Sequence, residues 1–346
     1  MRSTRPKPLH LLCGRPMLFY VLDALRDCPV DRTVVVVGPG GEAITKRVQE
    51  ELAGQPIDFV EQTRPRGTAD ALAAALGVLP DDDLGDDDVV VLPGDMPLLS
   101  ADAVAGLVAA HRAADVACTV LTAELTDPTG HSRVVRGKQQ HIVRVVSEVD
   151  AEFEELANNE VSPGVFCFRR SVLGAALRRV VPDATVGEFR LAAVVDVLHR
   201  AGYPVGSVSV AAGQVAEVDD RVHLAEVEAE LRRRLVRRWL ESGVTMVDPS
   251  SVYIDASVRL ARDVTIFPNT LLQGQTVIGE GAEVGPDTRL IDCVIGARSR
   301  VEKTVGRDAD VGADSVVGPF VSLEPGAQIA PGSRVDPFTR VVDAPR

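Results

Sequence analysis

From Ile254 onward an aliphatic residue recurs at every sixth position: Ile254, Leu260, Ile266, Leu272, Ile278, Val284 and Leu290. After a register break near 293–303 the run resumes as Val305, Val311, Val317, Leu323, Ile329, Val335 and Val341. A helix repeats every ~3.6 residues and a strand every ~2, so neither alone gives a strict six. Three short strands closing a triangular coil do, since each side then buries one aliphatic and stacked coils bury the column. The pattern predicts a left-handed parallel β-helix of about five coils over 248–346.

Upstream the pattern changes. Over 1–220, short Val-rich runs alternate with longer amphipathic stretches. Strands are expected at 33–37, 57–60, 89–92, 117–121 and 165–168, and helices at 17–26, 69–79, 101–113 and 189–201. Continuously apolar strands alternating with helices predict an α/β domain whose mostly parallel sheet is covered on both faces. One long helix over 221–242, ended by Gly243, serves as connector within a 221–247 linker, and Asp248-Pro249 marks entry to the hexads.

A chain of 346 residues can hold two such cores. Its net charge of −13 argues against nucleic acid and anionic membranes as partners, while leaving room for one phosphate-bearing small molecule. The run Arg232, Arg233, Arg234, Arg237 and Arg238 follows Glu226, Glu228 and Glu230 at spacings that favour ion pairs along a solvated helix. The cysteines, Cys13, Cys28, Cys118, Cys167 and Cys293, are scattered and read as packing residues of a reducing, cytoplasmic setting. No apolar stretch reaches membrane-spanning length. The acidic run 81–88 reads as a solvated loop, and Gly38-Pro39-Gly40-Gly41 as a strand-to-helix turn without phosphate-loop spacing.

The sharpest candidate chemistry is Val89-Val90-Val91-Leu92-Pro93-Gly94-Asp95-Met96-Pro97-Leu98. A buried strand delivers a carboxylate at its C-terminal end, where open parallel sheets bind ligands and where an aspartate can hold Mg²⁺. A turn or cap aspartate is the competing reading of that run. Pro6-Lys7-Pro8-Leu9, ahead of Gly14-Arg15-Pro16-Met17, places a cation near this anion site. Gln62 and Gly67-Thr68-Ala69-Asp70-Ala71 offer an amide edge and helix-opening N–H groups to a nucleobase. Asp127-Pro128-Thr129-Gly130-His131-Ser132-Arg133 forms a tight turn suited to approach a sugar.

In this order the pieces resemble the GlmU-type family, N-acetylglucosamine-1-phosphate uridyltransferases fused to a hexapeptide-repeat β-helix. The resemblance spans nearly the whole chain and includes 6–17, 62–71, 94–99, 121–136, 217–224, and Gly243-Val244-Thr245 with Asp248-Pro249. It implies a Rossmann-like nucleotidyltransferase domain in which Lys7 neutralises nucleotide phosphates and Asp95 and Asp219 bind Mg²⁺. It further implies that Gln62, Gly67 and Thr68 hold uracil, with Gly94 beside the ligand and Gly130 on the sugar. A sugar 1-phosphate would then attack UTP and release pyrophosphate, in a homotrimer assembled through the β-helix.

Several positions depart from the family. Ser147 stands where it has Glu, Ser162-Pro163-Gly164 where it has Asn-Ser/Thr-Gly, and Ala193 where it has an acid. These positions read the sugar, so the expected product is UDP-N-acetylglucosamine or a related NDP-sugar. The chain also opens at the Met that follows the family's first strand and Gly-rich loop, so a cellular protein about 15–20 residues longer is expected. Glu324 and Val342 replace a phosphate-binding Arg and a Lys, and the family's catalytic His lies beyond residue 346, so no acetyltransferase activity is expected. A non-catalytic paralogue that binds a nucleotide or sugar phosphate, or acts as a scaffold, is the alternative. A hexapeptide acyltransferase is disfavoured, because no downstream His base is present.

Overall fold

The structure is a computed structural model, and it describes residues 1–80, 87–183 and 187–342. Two compact units emerge: Met1–His10 with Met17–His223, and Leu11–Pro16 with Leu224–Arg346.

The first unit runs in chain order α1 (Met17–Asp23), β1 (Thr33–Val37), α2 (Glu42–Glu51), β2 (Ile57–Glu61), α3 (Thr68–Leu76), β3 (Asp88–Val91), α4 (Ala101–Ala113) and β4 (Cys118–Glu124). It continues with β5 (Ser132–Arg136), β6 (Ile142–Val146), α5 (Phe153–Leu156), β7 (Glu160–Ser162), β8 (Phe166–Arg169), α6 (Arg170–Leu177), α7 (Ala193–Arg200) and β9 (Val205–Val210). Every strand and helix expected from the sequence here appears, with ends shifted by a few residues. The acidic run lies outside the described residues up to position 86, and 38–41 is a turn into α2.

Seven strands form one sheet in the order β3-β8-β4-β7-β5-β6, with β9 beside β4. Strands β3 and β4 both lie antiparallel to β8, and β9 is parallel to β4, so β3, β4, β5 and β9 share a direction while β6, β7 and β8 run against them. Strands β1 and β2 form a separate parallel pair. Among the described residues neither β1 nor β3 has a second ladder partner, and their valines stay mostly half-buried. Strands β7 and β8 follow one edge of β4 and are interrupted at Pro163-Gly164. Proline lacks a ladder donor, and Gly164 takes φ +80, so the strand breaks there and presents Ser162 at the gap.

The second unit is a parallel β-solenoid, consistent with a left-handed β-helix. Its three sheets stack six, six and five two-to-four-residue strands, from Thr245–Met246 to Arg340–Val341. All seven aliphatics of the first hexad run are buried. In the second run Val305 is a correction: it is 57% exposed, and Gly306 takes the inward place above Leu290 and below Leu323. Two coils are shortened: Leu272 pairs with Leu290, 18 residues on, but Leu290 pairs with Gly306, 16 on, and Gly306 with Leu323, 17 on, so a strict count of six overshoots by two residues and then by one. Cys293 fills the space, its sulfur 3.3 Å from where a Gly306 Cβ would sit.

Helix α8 (Arg221–Glu241) carries the expected ion pairs. Glu230 accepts from Arg233 and Arg234 at 2.8 Å, and Arg237 donates to Glu241 at 2.8 Å. Four of the cysteines are buried, and burial pushes the Cys13 and Cys167 thiols up to about 12, which removes the thiolate needed for nucleophilic chemistry. Among the described residues no helix is long and apolar enough to cross a membrane.

Candidate functional site

Three separated stretches converge on one ammonium. Lys7 follows Pro6 on a short 3₁₀ turn, and its Nζ donates to Asp95 Oδ2 at 2.5 Å and to Asp219 Oδ1 at 2.8 Å. Asp95 lies beyond the end of β3, after Pro93-Gly94, as expected for a ligand site at a strand terminus. The Val218 N–H donates to the Asp95 carbonyl at 3.1 Å and fastens the two carboxylate segments together. Burial alone would lower the Lys7 pKa, but hydrogen bonds and charge from Asp219 and Asp95 outweigh it, so the ammonium is held more firmly protonated.

Sequence reasoning misses Glu217, although Val218 is fully buried and Glu217 and Asp219 flank it. Burial, with the nearby charges of Asp95 and Asp219, raises the Glu217 carboxyl to about 7, against partial relief from Lys7. The folded state therefore binds this proton more tightly than the unfolded chain. The resulting stabilisation is full below the ordinary carboxylate range and is lost as pH climbs towards 7. Glu217→Gln should match the parent in melting temperature near pH 5 and exceed it near pH 8, by about 1–3 kcal/mol in unfolding free energy. Thermal unfolding of both proteins across that range checks the sign.

The residues expected to meet a base are assembled around α3. The Gln62 N–H donates to the Val37 carbonyl at 2.8 Å, which sets Gln62 at the ends of β1 and β2. Its Nε2 donates to the Gly67 carbonyl at 3.1 Å and Asp70 Oδ2 at 2.8 Å, leaving Oε1 without a protein partner among the described residues. The Thr68 hydroxyl accepts from the Leu191 N–H at 2.9 Å, and the Ala69 N–H is taken by the Phe189 carbonyl at 2.8 Å. Part of the polar edge expected to be open thus faces the 189–191 segment. Gly67 is required here: its φ is +111 and a Cβ would sit 2.5 Å from the Phe189 carbonyl oxygen. Gly67→Ala should destabilise the domain by about 1–3 kcal/mol, read by chemical denaturation.

The Gly130 turn, expected to meet the sugar, is firmly built. Asp127 Oδ1 accepts the Thr129 N–H at 3.1 Å, and Glu148 Oε2 accepts the Gly130 N–H at 2.6 Å. The buried Arg133 guanidinium donates to the Pro128 carbonyl at 2.6 Å and also to the His131 carbonyl. Glu148, one residue past the predicted Ser147, thus supplies a carboxylate to this turn. Ser147 lines a pocket of about 250 Å³ whose wall mixes Arg144, Asp150, Arg190 and Asp196 with apolar Val145 and Val181. Ser162 is 4% exposed and its Oγ has no partner among the described residues, an orphan hydroxyl where a ligand or water group would be satisfied. A Cβ at Gly94 would meet only Leu18 at 3.7 Å, so packing does not demand glycine there.

Among the described residues no three His, Cys, Asp or Glu side chains form a metal cage. Asp95 and Asp219 instead converge on a single cation position, now taken by Lys7 Nζ. That donor set suits a hard divalent ion that draws its remaining ligands from phosphates and water.

The α/β unit, with Asp95 beyond β3 and Asp219 just before α8, is an NTP transferase type of domain. Residues 1–177 match the MobA-like NTP transferase domain, and the chain belongs to that family. It is 36% identical over 312 residues to the bifunctional protein GlmU of Heliobacterium modesticaldum, covering 90% of this chain and 66% of that one. It is 40% identical over 314 residues to the bifunctional protein GlmU of Mycobacterium tuberculosis strain H37Ra, covering 90% and 63%. The Caldanaerobacter subterraneus GlmU is 36% identical over 296 residues, covering 86% and 63%. The chain spans about two thirds of the length of these curated relatives.

Proposed function

We propose that this protein is a Mg²⁺-dependent sugar-1-phosphate nucleotidyltransferase, joining UTP to a sugar 1-phosphate with release of pyrophosphate. The observation that carries the reading is the convergence of Lys7, Asp95 and Asp219 beyond the end of β3. Asp95 and Asp219 would hold the ion, which neutralises phosphate charge when bound. Lys7, released from the carboxylates, is then available to a phosphate oxygen as a donor aimed at developing charge. Gln62 turns its carbonyl oxygen to the base, because Asp70 accepts only and fixes the NH₂ end. A ring N–H, as in uracil, complements that oxygen. The Gly130 turn and Ser162 flank the sugar, whose phosphate supplies the nucleophilic oxygen; the protein contributes position and charge, with no covalent intermediate.

Ser162 beside the Gly130 turn leaves N-acetylglucosamine as one member of a range of sugars, in a cytoplasmic route to cell-envelope precursors such as peptidoglycan. The solenoid's regular faces support a homotrimer. The test is pyrophosphate release by the full chain with each NTP and a panel of sugar 1-phosphates. Release should require Mg²⁺ and stop with EDTA. Nucleotide binding without release for any pair would overturn the reading in favour of a binding paralogue.

A further inference from the structure

We propose that His131 and Glu217 form a positioning pair for the sugar 1-phosphate, an inference that rests on the transferase reading above. His131 Nδ1 lies 3.8 Å from Glu217 Oε1, with the two side chains 19% and 31% exposed. That is beyond a hydrogen bond but within reach of one small movement. The pair links the two halves of the site: His131 belongs to the Gly130 turn, and Glu217 sits two residues from Asp219 in the segment fastened to Asp95.

Most other polar groups of the turn are already engaged, with Arg133 Nε left without a partner among the described residues. The Gly130 N–H is held by Glu148, Asp127 by Thr129, and the Arg133 guanidinium by the Pro128 and His131 carbonyls. The same Arg133 contact anchors the His131 backbone, so the ring hangs from a fixed point. Its Nε2 has no protein partner among the described residues. A sugar 1-phosphate with its phosphate at Lys7 and its ring at Gly130 would lie beside this imidazole, which adjoins Gly130 in the chain and Glu217 across the site. Glu217, drawn onto Nδ1, fixes the ring plane and leaves Nε2 as the group that meets the ligand. This is the logic by which a carboxylate orients a working histidine. No bond is made or broken by the pair; it orients the nucleophile.

The test uses the full chain and the variants His131→Phe, His131→Gln and Glu217→Gln. With UTP and N-acetyl-α-D-glucosamine 1-phosphate or α-D-glucose 1-phosphate, His131→Phe and Glu217→Gln should raise KM for the sugar phosphate about tenfold. That corresponds to about 1.4 kcal/mol. KM for UTP should stay within about twofold, and His131→Gln, which keeps a polar tip, should recover part of the loss. Unchanged sugar-phosphate KM in the two variants overturns the inference while leaving the transferase reading intact. If the parent chain itself turns over neither substrate, the transferase reading fails for these sugars. The pair is then judged by NMR of the His131 ring as either sugar phosphate is added without nucleotide. A saturable shift, weakened in Glu217→Gln, supports the pair, and no shift overturns it.

Discussion

Asp95→Asn is expected to lower pyrophosphate release by about 10²–10³-fold while leaving the fold intact. The change keeps the shape of the side chain and removes one charge. Lys7 retains Asp219 as its partner at 2.8 Å, so the ammonium is not stranded. Nearby, Asp95, Glu217 and Asp219 share this one lysine, and losing a carboxylate relieves repulsion instead of creating an unpaired buried charge. The melting temperature should therefore hold or rise. The activity loss comes from the metal: a neutral amide is a poorer ligand for Mg²⁺ than a carboxylate, and the phosphates lose their counter-charge. Steady-state pyrophosphate assays alongside thermal unfolding separate the two effects. Activity within about threefold of the parent would show that Asp95 is only a structural partner of Lys7.

Leu290→Ala should have the largest effect on stability, about 3–5 kcal/mol. Leu290 is fully buried in the solenoid, and its register partner in the next coil is Gly306, which has no side chain to move into the space. Leu290, Cys293 and Leu323 lie within 3.1–3.4 Å of where a Gly306 Cβ would sit, so they already fill the gap that glycine leaves. Truncating one of them opens a cavity that hydrogen-bonded rungs cannot collapse to close. Val305→Ala is the matched control, at within about 0.5 kcal/mol, because Val305 points to solvent. Chemical denaturation of both variants discriminates: a large loss at Val305 would put Val305 back in the inward column.

The hexads illustrate what is legible and where legibility stops. Ile254 to Leu290 all face inward, because a strict repeat leaves one choice of inward column. The second run is nearly right for the same reason. It fails at Val305 because coil shortening is a property of turns, and turn length leaves no mark on a count of aliphatics. The α/β unit behaves similarly. Val-rich runs and helix patterns point to the elements, since burial period is local chemistry. They could not place β8 antiparallel between β3 and β4, because a buried strand reads alike in either direction.

The site divides along the same line. Lys7, Asp95 and Asp219 could be named from the motifs that carry them, each recognisable from its neighbours. That one ammonium spans both carboxylates depends on folding residues 88 and 212 positions apart into contact. Glu217, although it opens the 217–224 stretch, carried no role there, and Glu148 had no motif of its own. Their importance comes from partners distant in sequence: Asp95 and Lys7 for the first, the Gly130 N–H for the second. The two architectures and the residue types available for phosphate chemistry are legible along the chain, because periodicity and motif are written in neighbouring positions. Which hydroxyl is orphaned, which carboxyl holds its proton to about 7 and which valine faces water emerge only in the folded molecule. Burial and charge proximity depend on through-space distance, which is set only when the chain closes on itself.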